Sequence, residues 1–173
     1  MRRKKIPKKR YKKTLRFIKE VVQPKDRILD LGVANPFSEI MIKKGYNVTS
    51  SGQVDLDLDT VPVQSENYDL VTAFETFEYM VSPFNLLQDI KAKKLVTSVP
   101  LKLWFASAYN NTLEETDRRY HEFEDWQFDW LLEKAGWRIK KREKFTNPVK
   151  KIGIRPILRR FTPRHYLVYA ERN

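Results

Sequence analysis

The 173-residue chain contains no cysteine. Disulfides, zinc–thiolate centres and cysteine nucleophiles are thereby excluded. Its two histidines, His121 and His165, lie far apart and show no metal-ligand spacing, so no metal site is expected. Glycine is scarce, with five residues. The Gly-x-Gly-x-x-Gly fingerprint of a dinucleotide-dependent oxidoreductase is missing, which leaves that reading weak. No apolar run approaches the roughly 18 residues of a membrane helix. The basic start lacks the apolar stretch of a secretory signal. A cytoplasmic protein is the resulting expectation.

What is present is the composition of a folded protein: 41% hydrophobic and 13% aromatic residues, enough for one core of ordinary size. The net charge of +12 is unevenly placed. Residues 1–25 hold 12 Lys and Arg against Glu20, and residues 138–173 hold 12 against Glu143 and Glu171. The centre is acidic. Basic ends of this kind suit nucleic acid, an anionic lipid surface or a phosphorylated substrate; a plain solvated surface is the equal alternative. Residues 1–13 are read as a basic arm and 14–173 as a single domain.

Along the chain, Tyr11 to Val22 has helical apolar spacing that Pro24 stops. Arg27 to Leu31 reads as a buried strand running into Gly32. Pro36 to Lys44 reads as a helix ended by Gly45. Tyr46 to Ser50 and the alternating Val54 to Leu58 read as strands, as do Tyr68 to Phe74 and Lys94 to Pro100. Ser82 to Ala92 is a helix with Ser82 as its cap, and Glu124 to Ala135 is another. Tyr109 to Glu122 reads as a loop or lid. Trp137 to Phe145 and His165 to Glu171 should pair antiparallel with the last strand at the sheet edge, joined by a proline-rich connection, Thr146 to Pro163. Helices alternating with short apolar strands predict an α/β fold, a mostly parallel sheet covered on both faces. Ligands of such sheets bind beyond the carboxyl ends of the strands.

Asp30 sits at such an end, two residues before Gly32. An acid in a buried strand is costly without partners; here it could take bonds from loop N–H groups and ligand amines, or merely brace the turn. The segment Ile28-Leu-Asp-Leu-Gly32 resembles the first motif of class I S-adenosylmethionine-dependent methyltransferases. Asp57-Leu-Asp-Thr-Val-Pro62 followed by Tyr68-Asp-Leu-Val71, then Phe74-Glu-Thr-Phe-Glu-Tyr-Met80, then His121-Glu-Phe123 with a helix ending Lys134-Ala-Gly-Trp137, are similar to its later motifs, in order, over about residues 26–145. The resemblance implies a three-layer α/β/α Rossmann-like methyltransferase fold with an antiparallel C-terminal strand, and S-adenosylmethionine as cofactor.

By that resemblance Asp30 anchors the methionine end and Gly32 passes beneath the cofactor, with Ala34 and Asn35 in the loop. Asp57 receives the adenine amino group beside Leu58. Phe74 and Glu75 meet the methionine moiety. The acid that ordinarily holds the ribose would fall near Gly52, where there is none, so Asp55 is its substitute. Tyr79, in place of a common histidine, and His121 are the candidate catalytic groups. Trp104, Phe105 and Tyr109 could line an acceptor pocket but read better as lid packing. Trp126, Phe128, Trp130 and Leu131 read as core-facing and helix-flanking. Glu114, Glu115 and Asp117 with His121 read as an exposed acidic loop. The expected activity is methyl transfer to an unidentified acceptor, a small molecule by resemblance. The second reading is a non-catalytic module that holds RNA or another polyanion through its basic ends.

Overall fold

The computed structural model describes residues 8–107, 118–146 and 153–172. Six strands form one sheet: β1 (Arg27–Asp30), β2 (Asn47–Ser50), β3 (Leu70–Phe74), β4 (Lys94–Pro100), β5 (Arg138–Phe145) and β6 (His165–Glu171). Their order is β2-β1-β3-β4-β6-β5. The first four are parallel, and β6 runs antiparallel to both β4 and β5. The expected antiparallel pair is therefore present, but β6 lies inside the sheet and β5 forms the edge. The burial patterns give the reason: β6 is buried on both faces, whereas β5 alternates exposed Arg and Lys with partly buried positions.

Neighbouring residues of each central strand feed opposite cores. Leu29, Val71, Leu95 and Val168 point to one, with α3 (Pro83–Asp89) and α4 (Asp125–Lys134). Ile28, Leu70, Val96 and Leu167 point to the other, beneath α1 (Lys8–Val21) and α2 (Pro36–Lys43). Two-sided burial explains why these strands read as continuous apolar runs. Helix α2 starts where Pro36 fixes the first turn and the Asn35 side chain accepts from the Phe37 and Ser38 amides; it ends at Gly45, whose φ of +88° suits only glycine comfortably.

Several expectations need correction. Helix α1 reaches back to Lys8, so residues 8–13 belong to it rather than to an arm. It docks on β5 through Arg16–Glu143 and Lys141–Glu20 ion pairs. Val54 to Leu58 is a turn, not a strand. Ser82 makes no side-chain cap on α3. The segment between β5 and β6 contains a further helix, α5 (Ile154–Phe161), which buries none of its residues. Ile154, Ile157 and Phe161 are exposed on it. On α4, Phe128 is buried, but Trp126 and Trp130 are exposed and pack on each other. Among the described residues no helix is long and apolar enough to cross a membrane.

Candidate active site

From β1 the chain crosses to β2 on one side and β3 on the other, and beyond the strand ends this switch point opens a cleft of about 490 Å3. The end of β1 supplies Asp30 to its wall, and the loop after it supplies Gly32 and Asn35. The turn after β2 supplies Val54, Asp55, Leu56 and Asp57. Phe74 ends β3, Glu75, Tyr79 and Met80 follow it, and Arg10, Tyr11 and Thr14 come from α1.

Asp30 is 2% exposed. Its Oδ1 accepts from the Thr72 hydroxyl at 2.7 Å and its Oδ2 from Asn35 Nδ2 at 3.2 Å. Burial pushes this carboxyl up to about 6, against the two hydrogen bonds that pull it down. Gly32 has a φ of +101°, and a Cβ built there would meet nothing within 4 Å. The backbone therefore lines the cleft at Gly32 with open space where a side chain would stand. The Gly32 amide donates to Ser51 Oγ at 2.8 Å, and the Gly52 amide donates to the Gly32 carbonyl at 3.1 Å, so the loops after β1 and β2 are tied together.

Asp57 is already engaged. Its carboxylate accepts from the backbone N–H groups of Val81 and Ser82 at 2.8 and 2.7 Å, so this acid anchors the entry to α3 in place of the missing Ser82 cap. Each oxygen retains capacity for another donor. Asp55 Oδ1 accepts from the Asp57 amide at 3.0 Å. The alternation that suggested a strand has another origin: Val54 and Leu56 pack on the apolar core, Asp55 and Asp57 brace the turn and α3, and all four line the cleft.

Glu75 holds a φ of +56°, a left-handed conformation unusual for a side-chain-bearing residue. Its Oε1 lies 3.2 Å from His165 Nδ1 and accepts from Ser98 Oγ at 3.4 Å, while Oε2 lies 3.3 Å from Arg10. Burial alone would raise its pKa, but the His165 bond and the charges of His165, Arg10 and Arg119 hold it below the usual range. Because the ionised carboxylate can only accept, His165 Nδ1 carries the proton. His165 Nε2 is enclosed and has no hydrogen-bond partner among the described residues. Glu78 is fully buried, 4.0 Å from Arg119, and burial followed by the Glu75 charge pushes it up to about 8. One carboxylate is thus held ionised beside another held protonated.

Of the residues expected in the site, Asp30, Gly32, Asn35, Asp55, Asp57, Phe74, Glu75 and Tyr79 line the cleft; Ala34, Leu58 and His121 do not. Leu58 is 86% exposed. His121 places Nε2 3.3 Å from the Val81 carbonyl and stacks on Phe123, so its ring is spent on packing the turn. Trp104 is exposed and packs on Phe105, away from the cleft. Tyr109, Glu114, Glu115 and Asp117 lie outside the described residues. Arg10, Tyr11 and His165 were not foreseen. Arg10 was hidden in a basic run; His165 sits 90 residues from the acid it meets.

No protein-family model matches the chain, and no curated protein matches it. Solved structures do. A chain of the Haloferax volcanii complex formed by the Trm112 methyltransferase activator is similar with a TM-score of 0.66 at 14% identity, covering 95% of this chain and 91% of that one. An S-adenosylmethionine-dependent methyltransferase from Mesorhizobium loti gives 0.63 at 17%, covering 91% and 96%. The [4+2]-cyclase SpnF gives 0.59 at 12%, covering 94% and 81%. The fold is that of the class I methyltransferases. At such identities the likeness establishes the fold and not the chemistry, as the cyclase illustrates.

Proposed function

We propose that this chain is an S-adenosylmethionine-dependent methyltransferase whose cofactor occupies the cleft between the β1 and β3 loops. The observation that carries this reading is the buried carboxylate of Asp30 directly before a glycine turn that lines the cleft with open space where a side chain would stand, at the switch point of the sheet. Bound there, the cofactor would supply an electrophilic methyl group on a sulfonium. Methyl transfer is an in-line displacement, for which a protein mainly positions donor and acceptor.

The chain's residues divide that work. Asp30, preset by Thr72 and Asn35, offers a carboxylate to a cationic amine, whose charge would draw it back toward the ionised form. Val54, Leu56 and Met80 offer apolar walls to a flat heterocycle. Asp57 and Asp55 remain acceptors for amino and hydroxyl groups at that end. Glu75, ionised and oriented by Arg10 and His165, is placed to receive a proton from an acceptor, and it replaces His121 in that role. Tyr79 also lines the cleft.

Crystals grown with S-adenosylhomocysteine test this placement. The adenine should lie on Val54, Leu56 and Met80 with the amino-acid end at Asp30. A ligand bound elsewhere, or no ligand at millimolar concentration, would refute it.

A further inference from the structure

Behind Glu75 a second cavity of about 200 Å3 adjoins the cleft and shares Arg10 and Glu75 with it. Four guanidinium groups line it: Arg10 from α1, Arg119, Arg159 from α5, and Arg164 just before β6; His165 completes the wall. Glu75 is its sole lining carboxylate among the described residues, and that group is committed to Arg10 and His165. Arg164 lies 3.4 Å from Glu122 and also donates to the Leu101 carbonyl. Arg159 has no acidic partner among the described residues. Like charges gathered around a small recess repel one another at low dielectric, and guanidinium forks match the oxygens of a tetrahedral anion two at a time.

We propose that this arginine-lined cavity holds a phosphoryl group of the methyl acceptor, so that the acceptor is a phosphate ester lying across Glu75. The dianion answers the surplus positive charge better than a carboxylate does, and the volume suits a phosphoryl group with a few waters. Calling the ligand the acceptor rests on the methyl-transfer reading; the cavity's affinity for phosphate does not. The ester has two sources. One is a soluble metabolite. The other is a lipid headgroup, because α5 places Arg159 on the cavity wall while Ile154, Ile157 and Phe161, at spacings of three and four residues, stand exposed.

The experiment titrates inorganic phosphate, with acetate as control, into the full chain and into Arg159→Ala and Arg159→Lys, and measures S-adenosylhomocysteine affinity on the same samples. Phosphate should bind more tightly than acetate. Arg159→Ala should weaken phosphate at least about tenfold, and Arg159→Lys should restore only part, because a lysine keeps the charge but loses the fork. S-adenosylhomocysteine affinity should stay within about twofold, since Arg159 does not line the main cleft. Phosphate binding equal to acetate, or unchanged in Arg159→Ala, overturns the proposal. In the wild type, S-adenosylhomocysteine binding without phosphate binding removes the acceptor site alone; phosphate binding without S-adenosylhomocysteine binding removes the methyl-transfer reading and leaves the phosphate site standing. Vesicles of phosphatidylcholine with and without phosphatidic acid identify the source. Phosphatidic-acid-dependent binding lost in Arg159→Ala and in Phe161→Ser supports a lipid ester. Phosphate binding without vesicle binding supports a soluble one.

Discussion

His165 Nδ1 lies 3.2 Å from Glu75 Oε1, joining the first residue of β6 to the residue just after β3 across 90 positions of sequence. Arg10 closes the other carboxylate oxygen. The arrangement holds an ionised acid at the cleft in a backbone conformation it would not adopt unaided. Glu75→Gln leaves Arg10 and His165 facing a neutral group. Breaking an enclosed pair costs about 3–5 kcal/mol where both partners are fully buried. Arg10 is half-buried, so the expected loss is about 2–3 kcal/mol in urea denaturation at pH 7. A change below 0.5 kcal/mol would show that the cluster is not held as described.

Glu78 gives the fold a particular pH dependence. Its folded pKa of about 8 lies above the ordinary 4.5, so the native state keeps a proton that the unfolded chain releases. This group's contribution therefore weakens as pH rises from about 4.5 to 8 and levels off above. Glu78→Gln, which stays neutral, should flatten that slope. The wild type should lose more stability than the variant between pH 6 and pH 9 in matched urea titrations. Parallel curves would contradict the buried protonated carboxyl.

Much of this was legible beforehand, for identifiable reasons. Ile28 to Leu31, Leu70 to Phe74 and Lys94 to Pro100 announced themselves because both faces of those strands are buried. Asp30 and Gly32 stood out as an acid and a glycine at a strand end, which by themselves fit a turn brace as well as a ligand site; their place in a cofactor site, and that of Asn35, came from the resemblance. Val54 to Leu58 misled because a turn with Val54 and Leu56 packed on the core and Asp55 and Asp57 as braces shares the alternating pattern of a half-buried strand. Helix α5 was obscured by Pro156 near its start, where proline is tolerated, and by its lack of any buried side chain. His165 and Arg10 could not be assigned locally, since only the folded sheet brings the two ends of the chain to Glu75.

Arg172 is a structural cross-tie. Its guanidinium donates to the carbonyls of Leu87, Gln88, Ile90 and Ala135 at 2.7–3.1 Å and lies 4.5 Å from the Trp137 ring centre. It thereby fastens the ends of α3 and α4 to β6. Arg172→Ala should cost about 2–4 kcal/mol, from carbonyls left without their charged donor and the lost ring contact. Thermal unfolding checks this, and a variant with an unaltered midpoint would contradict the role.

Asp57 and Asp30 should fail differently. Asp57→Asn removes one acceptor oxygen from the Val81 and Ser82 amides, so it should lower stability by about 1–2 kcal/mol. Asp30→Asn removes an ionisable group that burial already disfavours, so it should be close to neutral for stability. Denaturation of the two variants side by side separates a brace from a ligand group; equal losses would contradict the distinction.

Calorimetric titration of the wild type and Asp30→Asn with S-adenosylmethionine tests the central claim most directly. One site per chain is expected in the wild type, with affinity about ten- to a hundredfold weaker in the variant because a charge-assisted bond of roughly 1.5–3 kcal/mol is lost. No heat of binding at millimolar S-adenosylmethionine, or equal affinity in the two proteins, would contradict it.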